Sequence, residues 1–315
     1  MRNTPRAPTP AEELRTHSAA VRVSFTWLGV RRSLTTGQKA QIAETFNAQE
    51  RDLSASKRIL DVSDPVFRQV TAIKNHIIGY WRAMTLPHPE PGIRLLKRDR
   101  AQDFSRTLDE YRQKLHESVG KLESHYARLK DAARVRLGTL FNESDYPPHL
   151  SGMFDVSYEF ISLEPPAYLL ELSPEVYQEQ QRRVAARFEE AIDLAEKAFT
   201  SELAQLVSHL VERLTGDGAG GEKKVFRDSA IANINGFFER FRSLNVGSNS
   251  ELDKLVTTAQ QAIRGVGAQD LRDREGLRQQ VATQMSSVLA TLDGLLVDAP
   301  RRKILRPTPP VAQVA

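Results

Sequence analysis

Two stretches of the chain alternate apolar and polar residues with the two-residue period of a half-buried β-strand. The first, residues 21–28, has as its apolar positions Val21, Val23, Phe25 and Trp27. The second, residues 154–161, has Phe154, Val156, Tyr158 and Phe160. Because a lone strand leaves backbone donors and acceptors unpaired, we expect these two strands to pair, with 92–96 as a third member of a small sheet.

Most of the remaining apolar residues recur at helical spacing. Two long helices are predicted, one over about 100–140 and one from the Ser173–Pro174 cap to about 215. Apolar rows with an 11-residue period run along both: Phe104, Leu115, Tyr126 and Leu137 in the first, and Phe188, Phe199 and Leu210 in the second. An 11-residue repeat keeps such a stripe nearly straight, so the matching periods predict that the two helices pack side by side.

Shorter amphipathic helices are predicted over 36–48, 63–84, 225–243, 251–264 and 270–297. Composition divides the chain into a disordered Pro- and Thr-rich arm (1–18), a helical hairpin with the small sheet (19–215), a Gly-rich linker (216–224), a C-terminal helical region (225–299) and a disordered basic, Pro-rich tail (300–315). The predicted fold class is mainly α, with a long antiparallel helical hairpin, a small antiparallel β-sheet at one end of it and a C-terminal helical bundle.

Recognisable catalytic chemistry is missing from the sequence. The chain contains no cysteine, which excludes disulfides, thiolate metal sites and thiol nucleophiles and is typical of a reducing cytoplasm. The Gly-rich stretch 216–221 is followed by Glu222 rather than the lysine of a phosphate loop, and His116 has no second histidine four residues on. No apolar run approaches the length of a membrane span. We therefore expect a cytoplasmic protein that is not an enzyme, binds no cofactor and does not enter a membrane.

Positive charge is concentrated towards the N-terminus, although the net charge is only +4. Residues 1–100 contain 17 Lys and Arg against 9 Asp and Glu, an excess of +8. The candidate binding residues for nucleic acid or an acidic partner are Arg31 and Arg32 after the first strand, Arg94, Lys97, Arg98 and Arg100 around the third, and Arg301, Arg302 and Lys303 in the tail. Arginine suits phosphate through its bidentate geometry. The alternative is an ordinary solvated surface, which we favour because the excess is spread out.

Four segments together resemble a known family: TWLGVRRSL (26–34), SASKRILDVSDPVFRQVTAIK (54–74), LFNESDYP (140–147) and FDVSYEF (154–160). The chain is similar over residues 20–200 to an uncharacterised bacterial, phage and plasmid family of unknown function. Genes of that family often lie beside genes for a MoxR-like AAA+ ATPase and a von Willebrand A protein. The resemblance implies these two proteins as partners and carries no active-site residues with it.

The sequence therefore favours a non-enzymatic interaction or scaffold protein, and the resemblance implies an adaptor of an AAA+ ATPase in a mobile-element or genome-conflict system. The alternative is a DNA- or RNA-associated factor of phage or plasmid origin that uses the basic N-terminal surface. The apolar stripes are compatible with closure within one chain or with a homo-oligomer.

Overall fold

The computed structural model describes residues 6–215 and 228–297, which are mainly helical with a small antiparallel sheet. The helices are α1 (Pro10–His17), α2 (Thr36–Thr45), α3 (Pro65–Met84), α4 (Ala101–Leu137), α5 (Tyr168–Leu172), α6 (Pro174–Thr215), α7 (Asp228–Leu244), α8 (Ser250–Ala262), α9 (Ala268–Asp273) and α10 (Glu275–Val297). The strands are β1 (Ser18–Trp27), β2 (Arg31–Ser33), β3 (Ser56–Arg58), β4 (Thr85–Pro87), β5 (Ile93–Lys97) and β6 (Phe154–Ile161). The backbone divides into two compact units, Met1–Glu189 and Glu190–Ala315.

The first unit is built on a four-stranded antiparallel sheet with the order β4–β5–β1–β6. β1 pairs with β6 from Ala20 opposite Ile161 to Trp27 opposite Phe154, and with β5 from Ser18 opposite Lys97. The predicted pairing of the three strands is therefore confirmed. β2 and β3 form a separate two-stranded sheet just beyond the end of β1.

The core of this unit lies between one face of the sheet and helices α3 and α4. Fully buried side chains from the strands, such as Phe154, meet Phe67 of α3 and Phe104 of α4 in one hydrophobic cluster. The apolar row predicted along α4 is buried at Phe104, Leu115 and Tyr126. Burial of these large side chains is the main source of stability in this unit.

α4 pairs with α3 in an antiparallel arrangement. Tyr80, near the end of α3, stacks on Phe104 near the start of α4, whereas Asp64 at the start of α3 reaches Arg128 further along α4. The β4–β5 hairpin returns the chain between the two helices. The predicted packing of the two long helices α4 and α6 against each other is not confirmed, since the 11-residue stripe shows which face is buried and not which helix covers it.

The prediction of a disordered arm over residues 1–18 is wrong for the second half of that range. Residues 10–17 form α1, in which Ala11 and Leu14 are buried. Thr9 and Glu12 form a reciprocal capping box, with each side chain accepting from the backbone N–H of the other. The T-x-x-E signal at the start of this helix was masked by the Pro- and Thr-rich composition around it.

The second unit is helical in its described residues. Its aromatic contacts join Phe199 of α6 to Phe237 and Phe241 of α7, with ring centroids 6.2 and 5.1 Å apart. α10 packs on α8 and α9, and the helix predicted as one segment over 270–297 is interrupted at Arg274, between α9 and α10. The predicted linker at 216–224 and the predicted tail at 300–315 lie outside the described residues.

Candidate functional site

The predicted basic residues lie at opposite ends of β1. Arg31 and Arg32 follow its C-terminal end on β2, whereas Lys97 pairs with Ser18 at its N-terminal end. Ten residues of extended strand span about 30 Å, which the three residues between β1 and β2 cannot bridge. The structure therefore does not bring the two groups onto one surface, and Arg301, Arg302 and Lys303 lie outside the described residues.

Two of the arginines near β5 are engaged with the backbone. Arg94 donates from Nε to Thr85 Oγ1 at 2.7 Å and from a second nitrogen to Thr85 O at 2.8 Å. Burial, together with the nearby charge of Arg82, lowers the pKa of Arg94 to about 10. Arg98 donates from Nε to the carbonyl of Ser18 at 3.0 Å. These two guanidinium groups therefore hold the sheet together. Arg100, which is exposed, and Lys97 make no such side-chain bond to the backbone of the described residues.

Arg31 lies opposite Arg58 in the β2–β3 pair, and both side chains are exposed. Like charges directly opposite each other on a sheet are unfavourable. The neighbouring pair differs, because Lys57, opposite Arg32, points inward and contacts Asp145 at 2.7 Å. Within the described ranges, Arg31 forms no ion pair with a carboxylate, whereas the charge of Arg58 helps to lower the pKa of Asp61. This small sheet therefore presents positive charge that is compensated only in part.

A groove that the sequence did not indicate opens beside this basic sheet. We call it the Trp27 groove; its volume is about 750 Å³, and its lining residues include Trp27, Val30, Val62, Pro65, Phe67, Arg68, Ala72 and Asn75. The end of β1 supplies one wall, and the first turns of α3 supply the other. Asp64 caps α3 by accepting from the backbone N–H groups of Val66 and Phe67, which fixes where that wall begins.

The Trp27 groove is apolar and carries positive charge. The ammonium of Lys74 lies 4.3 Å from the centroid of the Trp27 ring and 5.1 Å from that of Phe25. Burial lowers the pKa of Lys74. The described lining residues include Arg68 and no carboxylate. Neither Lys74 nor Arg68 has an ion-pair partner in the part of the chain that the structure describes.

Sequence reasoning missed the Trp27 groove because its walls are far apart in the chain. The usable signal was on α3, where the exposed residues Arg68, Ala72 and Asn75 recur at i, i+4 and i+7 beside the buried stripe. A small residue at the centre of such a row leaves space for a bound side chain. The pattern alone does not show that Trp27 stands across from it.

A second cavity, of about 540 Å³, lies between α4 and the start of β6, with His116, Glu123, Ser151 and Asp155 in its lining. Arg112 donates two hydrogen bonds to Asp155, of 2.9 and 2.8 Å, and His116 Nε2 lies 3.0 Å from Asp155 Oδ1. The hydrogen bond from Arg112 is the main reason why the pKa of Asp155 falls to about 2. Both carboxylate oxygens are thus already engaged, and the arrangement is that of a structural ion cluster.

We expect Arg112→Ala to remove a pH-dependent contribution to folding stability. A carboxylate whose pKa is lowered in the folded state stabilises the fold above its unfolded pKa, near 4, and loses that contribution as the pH falls towards 2. Denaturant midpoints of the variant and of the original chain should therefore differ most above about pH 4 and converge below it. Arg106→Ala, which removes the exposed pair with Asp103, is the matched control and should show little difference at any pH.

Comparison of the chain with protein-family models, with curated proteins and with solved structures finds no match. Among the described residues, no group of three or more His, Asp or Glu side chains is placed to hold a metal ion. No helix in the described ranges is both long enough and apolar enough to cross a bilayer. The geometry of the Trp27 groove therefore provides the strongest indication of function.

Proposed function

We propose that this chain is a non-enzymatic interaction protein and that the Trp27 groove receives an acidic, apolar segment of a protein partner. The observation that carries the proposal is an apolar groove lined by Arg68, with Lys74 over the ring of Trp27 and no carboxylate among the described lining residues. An apolar segment would bury against Trp27 and Val30. An acidic side chain beside it would supply the counter-charge that both cations lack.

Trp27 is suited to contribute a large share of the binding free energy at an interface. Tryptophan is enriched among the residues that dominate protein interfaces, because it offers a large apolar surface at a low entropic cost. Here the ring is only half-buried, and it is held from behind by Phe154, whose ring centroid lies 4.9 Å away. A rigid, partly exposed ring of this kind needs little reorganisation on binding.

The family resemblance of residues 20–200 suggests which partners to test first. It implies a AAA+ ATPase and a von Willebrand A protein, and an adaptor role would require a direct contact with one of them. A nucleic-acid partner is the second candidate, supported by the exposed Arg31 and Arg58 on the β2–β3 sheet.

We expect Ala72→Glu to weaken partner binding by about tenfold or more, the equivalent of about 1.4 kcal/mol. Ala72 is exposed and lines the groove, so the new carboxylate fills space there and offers Arg68, four residues earlier on α3, an internal counter-charge. Tagged chain co-expressed with the two candidate partners is purified, and the partner retained is quantified. His76→Glu is the matched control, because it places the same charge on an exposed position of α3 outside the groove lining.

Equal partner retention by Ala72→Glu and His76→Glu would show that the partner does not bind in the groove. Failure of the original chain to retain either partner would remove the adaptor role. The nucleic-acid alternative is tested with single- and double-stranded probes at about 50 mM salt, where phosphate contacts bind most strongly and weaken steeply as salt is added. Salt-sensitive binding that is lost when Arg31 and Arg58 are changed to alanine would favour it instead.

A further inference from the structure

An exposed apolar segment lies on the first unit at α5 and the start of α6. Its large side chains are exposed to 59% (Tyr168), 51% (Leu170), 75% (Leu172) and 47% (Val176). We call residues 168–176 the α5 segment. Single exposed apolar residues are ordinary, but four large ones within nine positions are a concentration of exposed apolar surface, and such surface marks contacts with other molecules.

The charge of the α5 segment is opposite to that of the Trp27 groove. Residues 162–181 contain four glutamates and no lysine or arginine. Two of the glutamates are neutralised within the chain, since Glu164 pairs with Arg15 and Glu179 with Arg183. The other two, Glu171 and Glu175, have no cationic partner among the described residues and lie between the exposed leucines and Val176.

We propose that the α5 segment of one copy of this chain docks in the Trp27 groove of a second copy. This inference rests on the proposed function, because it uses the same groove, and it names the partner. Leu170 or Leu172 would bury against Trp27, while Glu171 and Glu175 approach Arg68 and Lys74. A groove of about 750 Å³ has the size of an ordinary ligand pocket and accepts a few side chains rather than a whole helix.

A second copy is the favoured occupant because one chain carries both complementary surfaces and neither covers the other. The groove residues Arg68 and Ala72 and the segment residues Leu170 and Leu172 are all exposed in the same unit. A contact between two different surfaces is head-to-tail, so a bound pair still offers an open groove on one copy and an open segment on the other. Assembly therefore continues until it closes into a ring or extends as a filament.

Sedimentation velocity of the full-length chain tests this directly. The original chain should form species larger than a dimer, in amounts that rise with concentration and fall with added salt. Ala72→Glu, which blocks the groove, and Leu172→Glu, which disables the segment, should each be monomeric. Both positions are exposed, so folding should be unaffected, and circular dichroism verifies this. His76→Glu should assemble like the original chain.

Mixing the two blocked variants gives the decisive result. Ala72→Glu retains a working segment and Leu172→Glu retains a working groove, so together they should form a one-to-one heterodimer and nothing larger. A mixture that remains monomeric, or single variants that still assemble, would overturn head-to-tail docking. So would an original chain that is monomeric at its highest soluble concentration.

The outcomes also separate this inference from the proposed function. If the chain is monomeric but Ala72→Glu still loses the AAA+ or von Willebrand A partner, only the choice of a second copy is wrong. If Ala72→Glu changes neither self-association nor partner retention, the groove is not a binding site and both proposals fail.

Discussion

Phe154→Ala is expected to lower the free energy of unfolding by about 3–5 kcal/mol, the usual cost of deleting a buried phenylalanine ring. Phe154 is 1% exposed, and its ring meets Trp27 edge-on at 4.9 Å and Phe67 at 6.3 Å. Its loss would therefore leave a cavity where β1, β6 and α3 meet. Chemical denaturation followed by circular dichroism measures the change.

The matched control for Phe154→Ala is a double variant just after β1, the strand that pairs with Phe154. Arg31→Ala combined with Arg32→Ala should change the free energy of unfolding by no more than about 0.5 kcal/mol, as surface changes usually do. The Arg31 side chain is exposed, and within the described residues Arg32 donates only to the nearby carbonyls of Gly29 and Arg31. A comparable loss in the arginine variant would show that the end of β1 and the β2–β3 sheet fold as one structural element.

The sheet could be predicted from sequence because strand alternation is a local signal. Val21, Val23 and Phe25 identify one face of β1 without reference to any other residue, and Phe154 and Val156 do the same for β6. Once two such faces exist in a mainly helical chain, the need to pair backbone groups leaves few choices. The observed register places Phe25 opposite Val156, and the alternation excludes a slip of one residue, which would turn one apolar face away from the core.

The partner of each long helix could not be predicted in the same way. The rows through Phe104, Leu115 and Tyr126 correctly identify the buried face of α4. Nothing in their spacing distinguishes α3 from α6 as the covering helix. The deciding feature is the short β4–β5 hairpin, which returns the chain directly after α3, and β4 has only three residues from which to recognise it.

Charge was the least reliable guide to the candidate site. Arg94 and Arg31 look alike in the sequence, but Arg94 is bound to Thr85 inside the sheet and Arg31 is exposed. Lys74, which lies over the Trp27 ring, could not be recognised from the sequence because Trp27 comes from another element. A side chain's surroundings depend on tertiary packing, and composition records only the number of charges.

Asp145→Ala is expected to destabilise the chain by about 3–5 kcal/mol, the usual cost of removing one partner of a buried ion pair. Its partner Lys57 is almost fully buried, with 4% of its side chain exposed, and its ammonium lies 2.7 Å from Asp145. Lys57 also donates to the carbonyl of Leu140 at 2.6 Å, which holds it in place on β3. Without Asp145 the buried charge has no counter-ion among the residues that the structure describes.

The double variant Lys57→Met with Asp145→Leu separates the effect of an uncompensated charge from that of lost packing. Replacing a whole buried ion pair by apolar side chains is often neutral or stabilising, so we expect this variant to unfold at a denaturant midpoint well above that of Asp145→Ala. If both variants are equally unstable, the pair acts through packing or through the Leu140 bond rather than through its charge. If the loss comes from the Leu140 bond, an apolar side chain at position 57 cannot replace it, and the basic sheet that carries Arg31 and Arg58 depends on Lys57 itself for its position.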